Sequence, residues 1–183
     1  MKELSLNILD VANNSLKAGA TKVDIHLIES ENVLKLVIND NGCGMSEQTL
    51  QNVTDPFYTT RTTRKVGLGL PFLKEAAEVT GGRMEITSVQ KEVNPDKCGT
   101  CVSAFFNTDS IDFTPIGDII STIVTLIQGA PEVDFDFVHS ANGKEITLDT
   151  RQIREVLGDD IPLSSPEVLS FIRNSLETEY NSI

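Results

Sequence analysis

Between residues 33 and 45 an apolar strand pattern runs straight into Asn39-Asp40-Asn41-Gly42-Cys43-Gly44-Met45. A carboxylate with glycines two and four positions later ends that strand in a loop whose backbone can approach a flat ligand closely. Taken by itself, the loop reads equally well as an ordinary tight turn. Ahead of it, residues 4–18 carry apolar positions at helical spacing, and Gly19 follows as a stop signal. Residues 22–29 alternate as a strand, with Val23, Ile25 and Leu27 on one face. After the loop, Ser46 is placed to cap a short helix through Val53. Residues 70–80 read as a helix closed by Gly81-Gly82, and residues 83–89 and 101–107 as a last pair of strands. This order predicts an α+β sandwich, with helices on one face of a mixed or antiparallel sheet.

The chain has 183 residues, enough for one full domain and a smaller appendage. With 15 basic against 27 acidic side chains its formal charge is −12, which argues against a partner coated in phosphate, so no nucleic acid is expected. No apolar run approaches the roughly 18–20 residues of a membrane helix, and Met1-Lys2-Glu3 begins no secretory signal. Three cysteines make no disulfide scaffold. No membrane association and a cytoplasmic location are therefore expected.

The charge is uneven. Residues 1–110 hold 14 acids and 11 bases, net −3, whereas residues 111–183 hold 13 acids and 4 bases, net −9. The shift falls at a polar stretch containing Pro115, which sets a linker at 109–115 and a small acidic α+β domain at 116–183. In that second part residues 116–127 read as a helix and residues 133–149 as a hairpin turning at Asn142-Gly143. Residues 150–157 and 165–180 read as helices, the latter opened by Ser165-Pro166-Glu167.

Chemistry gathers in the first part. On the first helix Asn7, Asp10, Asn14 and Lys17 fall within roughly an 80° arc, opposite Leu9, Ala12 and Leu16. Alone, this is as well read as a solvated face. Asp40 is suited to accept a hydrogen bond from an exocyclic amine such as that of adenine. The segment from Asp55 to Lys65 contains Pro56-Phe57-Tyr58-Thr59-Thr60-Arg61 and the cations Arg61, Arg64 and Lys65. Gly67-Leu68-Gly69-Leu70 then opens a helix, whose N–H groups and dipole suit phosphates. Gly99-Thr100 enters the closing strand. Cys98 and Cys101 have metal or redox spacing but coincide with that last block, and no second pair exists. Cys43 reads as a small residue under a flat ligand. His26 and His139 fall in strands, the first facing outward and the second at the surface near the hairpin turn.

In order and spacing these blocks resemble the Bergerat-fold ATP-binding domain of the GHKL superfamily, the histidine-kinase-like ATPases, over about residues 1–108. The resemblance implies a two-layer α/β sandwich with ATP and Mg²⁺ as cofactors. It assigns Mg²⁺ to Asn14 and the adenine to Asp40, Gly42, Gly44 and the adjoining Met45, with Thr100 supporting the base through water. Tyr58, Thr60 and Arg61 fall in the family's aromatic block, Gly67, Leu68, Gly69 and Leu70 in its second glycine block. Lys17 and Arg61 would neutralise phosphate charge, and residues 59–66 would form a short lid. Asp10 stands where the family's ATPases carry a glutamate that activates water and where two-component histidine kinases usually carry asparagine, which implies a general base. No dimerisation helix is expected ahead of the first helix, so a phosphoacceptor would lie on another chain. The expected function is phosphorylation of a partner protein or ATP hydrolysis as a switch. The alternative is a non-catalytic ATP/ADP sensor whose C-terminal part binds a partner, and a homodimer stays open.

Overall fold

Strand alternation decides which side of the sheet is buried. In β1 (Lys22–Ser30) Val23, Ile25 and Leu27 point one way, and in β2 (Val33–Asp40) Leu34, Leu36 and Ile38 join them on that face. Val102, Ala104 and Phe106 of β4 (Gly99–Asn107) extend the same apolar surface. The computed structural model describes residues 3–55, 69–158 and 160–182. The remaining elements are α1 (Leu4–Lys17), α2 (Glu47–Asn52), α3 (Gly69–Glu78), β3 (Arg83–Val89), α4 (Ile119–Gly129), β5 (Asp134–Ala141), β6 (Lys144–Asp149), α5 (Thr150–Leu157) and α6 (Pro166–Tyr180). Six strands make one mixed sheet in the order β3-β4-β2-β1-β5-β6, antiparallel throughout except for the parallel pair β1–β5. Helix α1 packs against α3 on one side and α4 on the other, and α4 packs in turn against α6. The α+β sandwich read from the sequence is therefore present, and its elements fall close to their expected limits.

The sequence places a linker at 109–115 and a separate small unit after it. Instead, the second part continues the sheet of the first. β5 pairs with β1 from Lys22↔Asp134 to Ile28↔Ser140, and Phe135 and Phe137 enter the same core as Ile25 and Phe106. The reason is an unfilled edge: without β5, β1 would present a free strand edge beside an uncovered apolar face. The segment before α4 also closes the start of α1. Glu3 at the N-cap makes no side-chain cap bond. The Leu4 and Ser5 N–H groups donate instead to the Pro115 and Ile116 carbonyls at 2.9 and 2.8 Å, satisfying two donors that a helix start leaves open. The Glu3 carboxylate accepts the Asp118 N–H at 3.2 Å.

The hairpin at Asn142-Gly143 forms as expected, with φ of 53° and 74°, the left-handed pair that a tight two-residue turn requires. His139 differs from its expected surface position. It is 5% exposed, with Nε2 2.9 Å from Glu29 Oε1 and Nδ1 2.7 Å from the Tyr180 hydroxyl. Its place in the alternation of β5 puts it on the covered face, where α6 closes over it. Burial pushes the Tyr180 hydroxyl above its ordinary titration range. His26 stands on the opposite, half-buried face of β1.

A shared core predicts a shared transition. Phe137→Ala removes a ring buried to 1% exposure, and it should lower the unfolding free energy by about 3–5 kcal/mol. Urea denaturation followed by circular dichroism should keep a single cooperative step; two separated steps would show that the halves unfold independently.

Candidate functional site

Asp40 closes β2 at the point where the chain turns away from the sheet. Its carboxylate is 8% exposed, and a buried carboxylate needs hydrogen bonds from every side. One oxygen accepts the Ser15 hydroxyl of α1 at 2.6 Å. The other accepts the Gly42 N–H at 2.9 Å and the Thr100 N–H of β4 at 3.3 Å. An ionised carboxylate offers about four lone-pair sites, so one remains for a donor from outside.

Glycine is required around this carboxylate by space. At Gly99, with φ of +135°, a Cβ would lie 1.9 Å from the Asp40 carbonyl oxygen. At Gly44, with φ of +69°, it would lie 2.0 Å from the Val89 carbonyl oxygen. The loop after β2 is thereby pressed between β4 and the end of β3. Ser88 of β3 clamps it from the side: its hydroxyl accepts the Met45 N–H at 2.8 Å, donates to the Gly99 carbonyl at 3.0 Å and lies 2.8 Å from the Thr100 hydroxyl. On the other flank the Cys43 N–H donates to the Ala18 carbonyl at 2.9 Å.

These contacts leave a cavity of about 360 Å³ between α1, the loop after β2, α2 and the start of α3. Asn14, Lys17, Asp40, Gly44, Met45, Gly69, Leu70 and Thr100, all singled out from the sequence, line it together. Val11, Ile38 and Val102 give it an apolar wall, and Thr49 and Val53 close it from α2. Gly42 stands behind the wall, where a Cβ would lie 2.9 Å from that of Ala18. At the far end α3 starts against α1: a Cβ at Gly69 would lie 3.2 Å from Asp10 Cβ and 3.6 Å from Asn14 Nδ2. Asp10 itself is exposed, one helical turn before Asn14, and is not part of the cavity wall.

Asn7 departs from the expected polar face. It is buried against α3, its amide within 3.3 Å of the Glu3 carbonyl and the Leu73 N–H, and so joins α1 to α3. Tyr58, Thr60, Arg61, Gly67 and Leu68, with the expected lid and the cations Arg64 and Lys65, lie outside the described residues. Cys98 and Cys101 are free thiols flanking Gly99-Thr100. Sequence reasoning missed Ser15 and Ser88. A serine one position after Asn14 on a helix, or near the end of a strand, carries no pattern, and only the fold brings either hydroxyl to the loop.

Residues 1–110 match the family model described as histidine kinase-, DNA gyrase B-, and HSP90-like ATPase. The chain is similar to the tetrathionate sensor histidine kinase TtrS of Salmonella typhimurium, 34% identical over 100 residues, which cover 54% of this chain and 16% of that protein. It is 33% identical over 89 residues to the C4-dicarboxylate transport sensor protein DctB of Pseudomonas aeruginosa, covering 47% of this chain and 14% of that one. The chain thus matches a small part of each relative's length. Among solved structures it resembles the N-terminal domain of a DNA repair protein, with a TM-score of 0.58, 15% identity, and coverage of 87% of this chain and 58% of that one. At that identity the likeness is one of fold. Its coverage is larger than residues 1–110 alone make up, so it extends into the strands and helices added after β4.

Ser15→Ala would leave a buried Asp40 oxygen without its partner, and should cost about 1–3 kcal/mol of stability. Urea denaturation of the variant beside the parent protein reads this directly; an unchanged midpoint would remove the Ser15 hydroxyl from the support of the loop.

Proposed function

Since the chain belongs to the family of histidine kinase-, DNA gyrase B- and HSP90-like ATPases and so carries an ATP-binding, kinase-like domain, we propose that it binds ATP with Mg²⁺ in the cavity of Asp40 and Asn14 and transfers or releases the terminal phosphate. The observation that supports this most is the convergence of four separate sequence blocks on that one cavity. The remaining lone pair of Asp40 would accept the exocyclic amine of adenine, and Thr100 would support the base through water. Val11, Ile38 and Val102 would hold the flat ring against an apolar wall. Gly69 and Leu70, at the start of α3, border the opposite end, where helix N–H groups favour phosphate.

The donor set at that end fits magnesium: an amide oxygen at Asn14, with the Asp10 carboxylate one turn away, is hard oxygen chemistry that leaves room for water and phosphate ligands. Mg²⁺ when bound supplies charge neutralisation to the phosphates. Lys17 would add a second positive charge, and Arg61 a third by the family resemblance. Asp10 would take the proton of the attacking group, whether water or a hydroxyl or imidazole of a partner protein. The relatives' names describe sensor proteins, which supports a signalling role.

A second reading is carried by Asp10, which is exposed and off the cavity wall. With the base out of reach the protein would be an ATP/ADP sensor whose C-terminal part responds to a partner. ATP labelled on its γ-phosphate separates the readings: label on a partner protein means kinase, free phosphate means ATPase, and retained nucleotide with neither means sensor.

Two variants dissect the site. Asn14→Ala should weaken Mg²⁺-dependent ATP binding by about tenfold or more while leaving chelator-treated binding unchanged, as read by calorimetry. Asp10→Asn should abolish turnover and preserve affinity; turnover at the parental rate would exclude Asp10 as the base.

A further inference from the structure

Away from the nucleotide cavity, apolar side chains gather in the open along one groove. It runs between α5 and α6 along the outer strands β5 and β6, with Val138 and Leu148 among the residues that line it and a volume of about 1120 Å³. Val156, Phe171 and Ile161 line it while remaining 86%, 64% and 46% exposed. An exposed aromatic anchor among aliphatic ones marks an interaction surface. The volume exceeds the roughly 300–1,000 Å³ of small-molecule sites.

The charge around the groove is one-sided. Asp136, Asp149 and Glu167 lie on its walls, and the exposed Glu155 and Asp160 directly precede Val156 and Ile161. Each of the four bases in residues 111–183 already has a partner. Arg151 lies 2.7 Å from Asp149 and Arg154 3.2 Å from Asp134. Arg173 donates to the Ser121 hydroxyl and Lys144 to the Ser182 carbonyl. Among the described residues Glu155, Asp160 and Glu167 form no ion pair. Arg151 thus answers Asp136 and Asp149, at 3.8 and 2.7 Å, whereas Glu167 on the wall has no counter-charge within ion-pair distance among the described residues.

We propose that this groove receives a basic amphipathic helix of another protein. Two helices flanking an open trough accept the apolar stripe of a third, whose anchors recur at helical spacing. Lysines or arginines beside that stripe would meet Glu167 on the wall and Asp160 next to Ile161, where complementary charge steers association. A second copy of this chain is the poorer occupant, because it would set one net-negative surface against another. The groove shares no lining residue with the nucleotide cavity, so the proposal stands apart from the assignment of ATP.

The test uses the full chain and a fluorescent leucine–lysine peptide of about 18 residues, roughly five helical turns. A scrambled peptide of the same composition is the control, and fluorescence anisotropy the readout. Saturable binding of the amphipathic peptide is expected, with the scrambled one at least about tenfold weaker. Phe171→Asp, a change at an exposed position, separates docking from mere attraction. It adds negative charge, so simple electrostatic adhesion would tighten, whereas helix docking should weaken about tenfold. Glu167→Lys should weaken it as well. Equal binding of the two peptides, or tighter binding by the Phe171→Asp protein, would overturn the proposal. So would a dimer in sedimentation velocity that Phe171→Asp dissolves, since the groove would then belong to a second copy.

Discussion

The carboxylate of Asp40 is the joint on which the site depends. Two segments distant in sequence donate to it, a hydroxyl from α1 and an N–H from β4, together with an N–H from the adjoining loop after β2. A buried carboxylate is costly unless such donors surround it, so its presence fixes their positions as firmly as they fix its own. The apolar walls of Val11, Ile38 and Val102 come from α1, from β2 itself and from β4, and arrive with it. The cavity therefore needs no dedicated scaffold of its own, because its shape follows from satisfying one charge at the end of one strand.

The helix that carries Asn14 and Lys17 is held from several directions at once. Asn7 ties it to α3, Ser15 to Asp40, and its first N–H groups to the chain ahead of α4. Its two flanks pack on α3 and α4. Elements added after β4 thus support the helix that lines the cavity while presenting a second surface of their own. This division explains an acidic, partly apolar exterior on the outer strands without asking it to contribute to the cavity.

Much of this was legible in advance because local chemistry and global fold agree. Alternation in β1 and β2, the stop at Gly19, the cap at Ser46 and the Asn142-Gly143 turn each rest on a short-range rule, and each element formed near its expected limits. Asn14, Asp40 and Gly69 could be singled out because the order and spacing of their blocks resemble those of a known family, and they line one cavity. What escaped were relations set by the third dimension. A proline-bearing polar stretch near Pro115 reads as a linker, yet its carbonyls complete a helix start and lead into a strand of the same sheet. His139 reads as peripheral from its nearness to a turn, but the covering helix comes from the far end of the chain. Ser15 and Ser88 are ordinary residues until folding brings them to the loop.

The closure of α1 by the Pro115 and Ile116 carbonyls also bears on how the molecule comes into being. During synthesis the chain emerges from its N-terminus, and domains settle only as their parts become accessible. The helix carrying Asn14 and Lys17 is made before the residues that close its first turn. Its opening turn stays untied, and β1 lacks its outer neighbour, until the stretch through β5 has followed. The pocket is thus begun early and secured late, so a nascent chain arrested near residue 110 would expose a half-built sheet for as long as the arrest lasts.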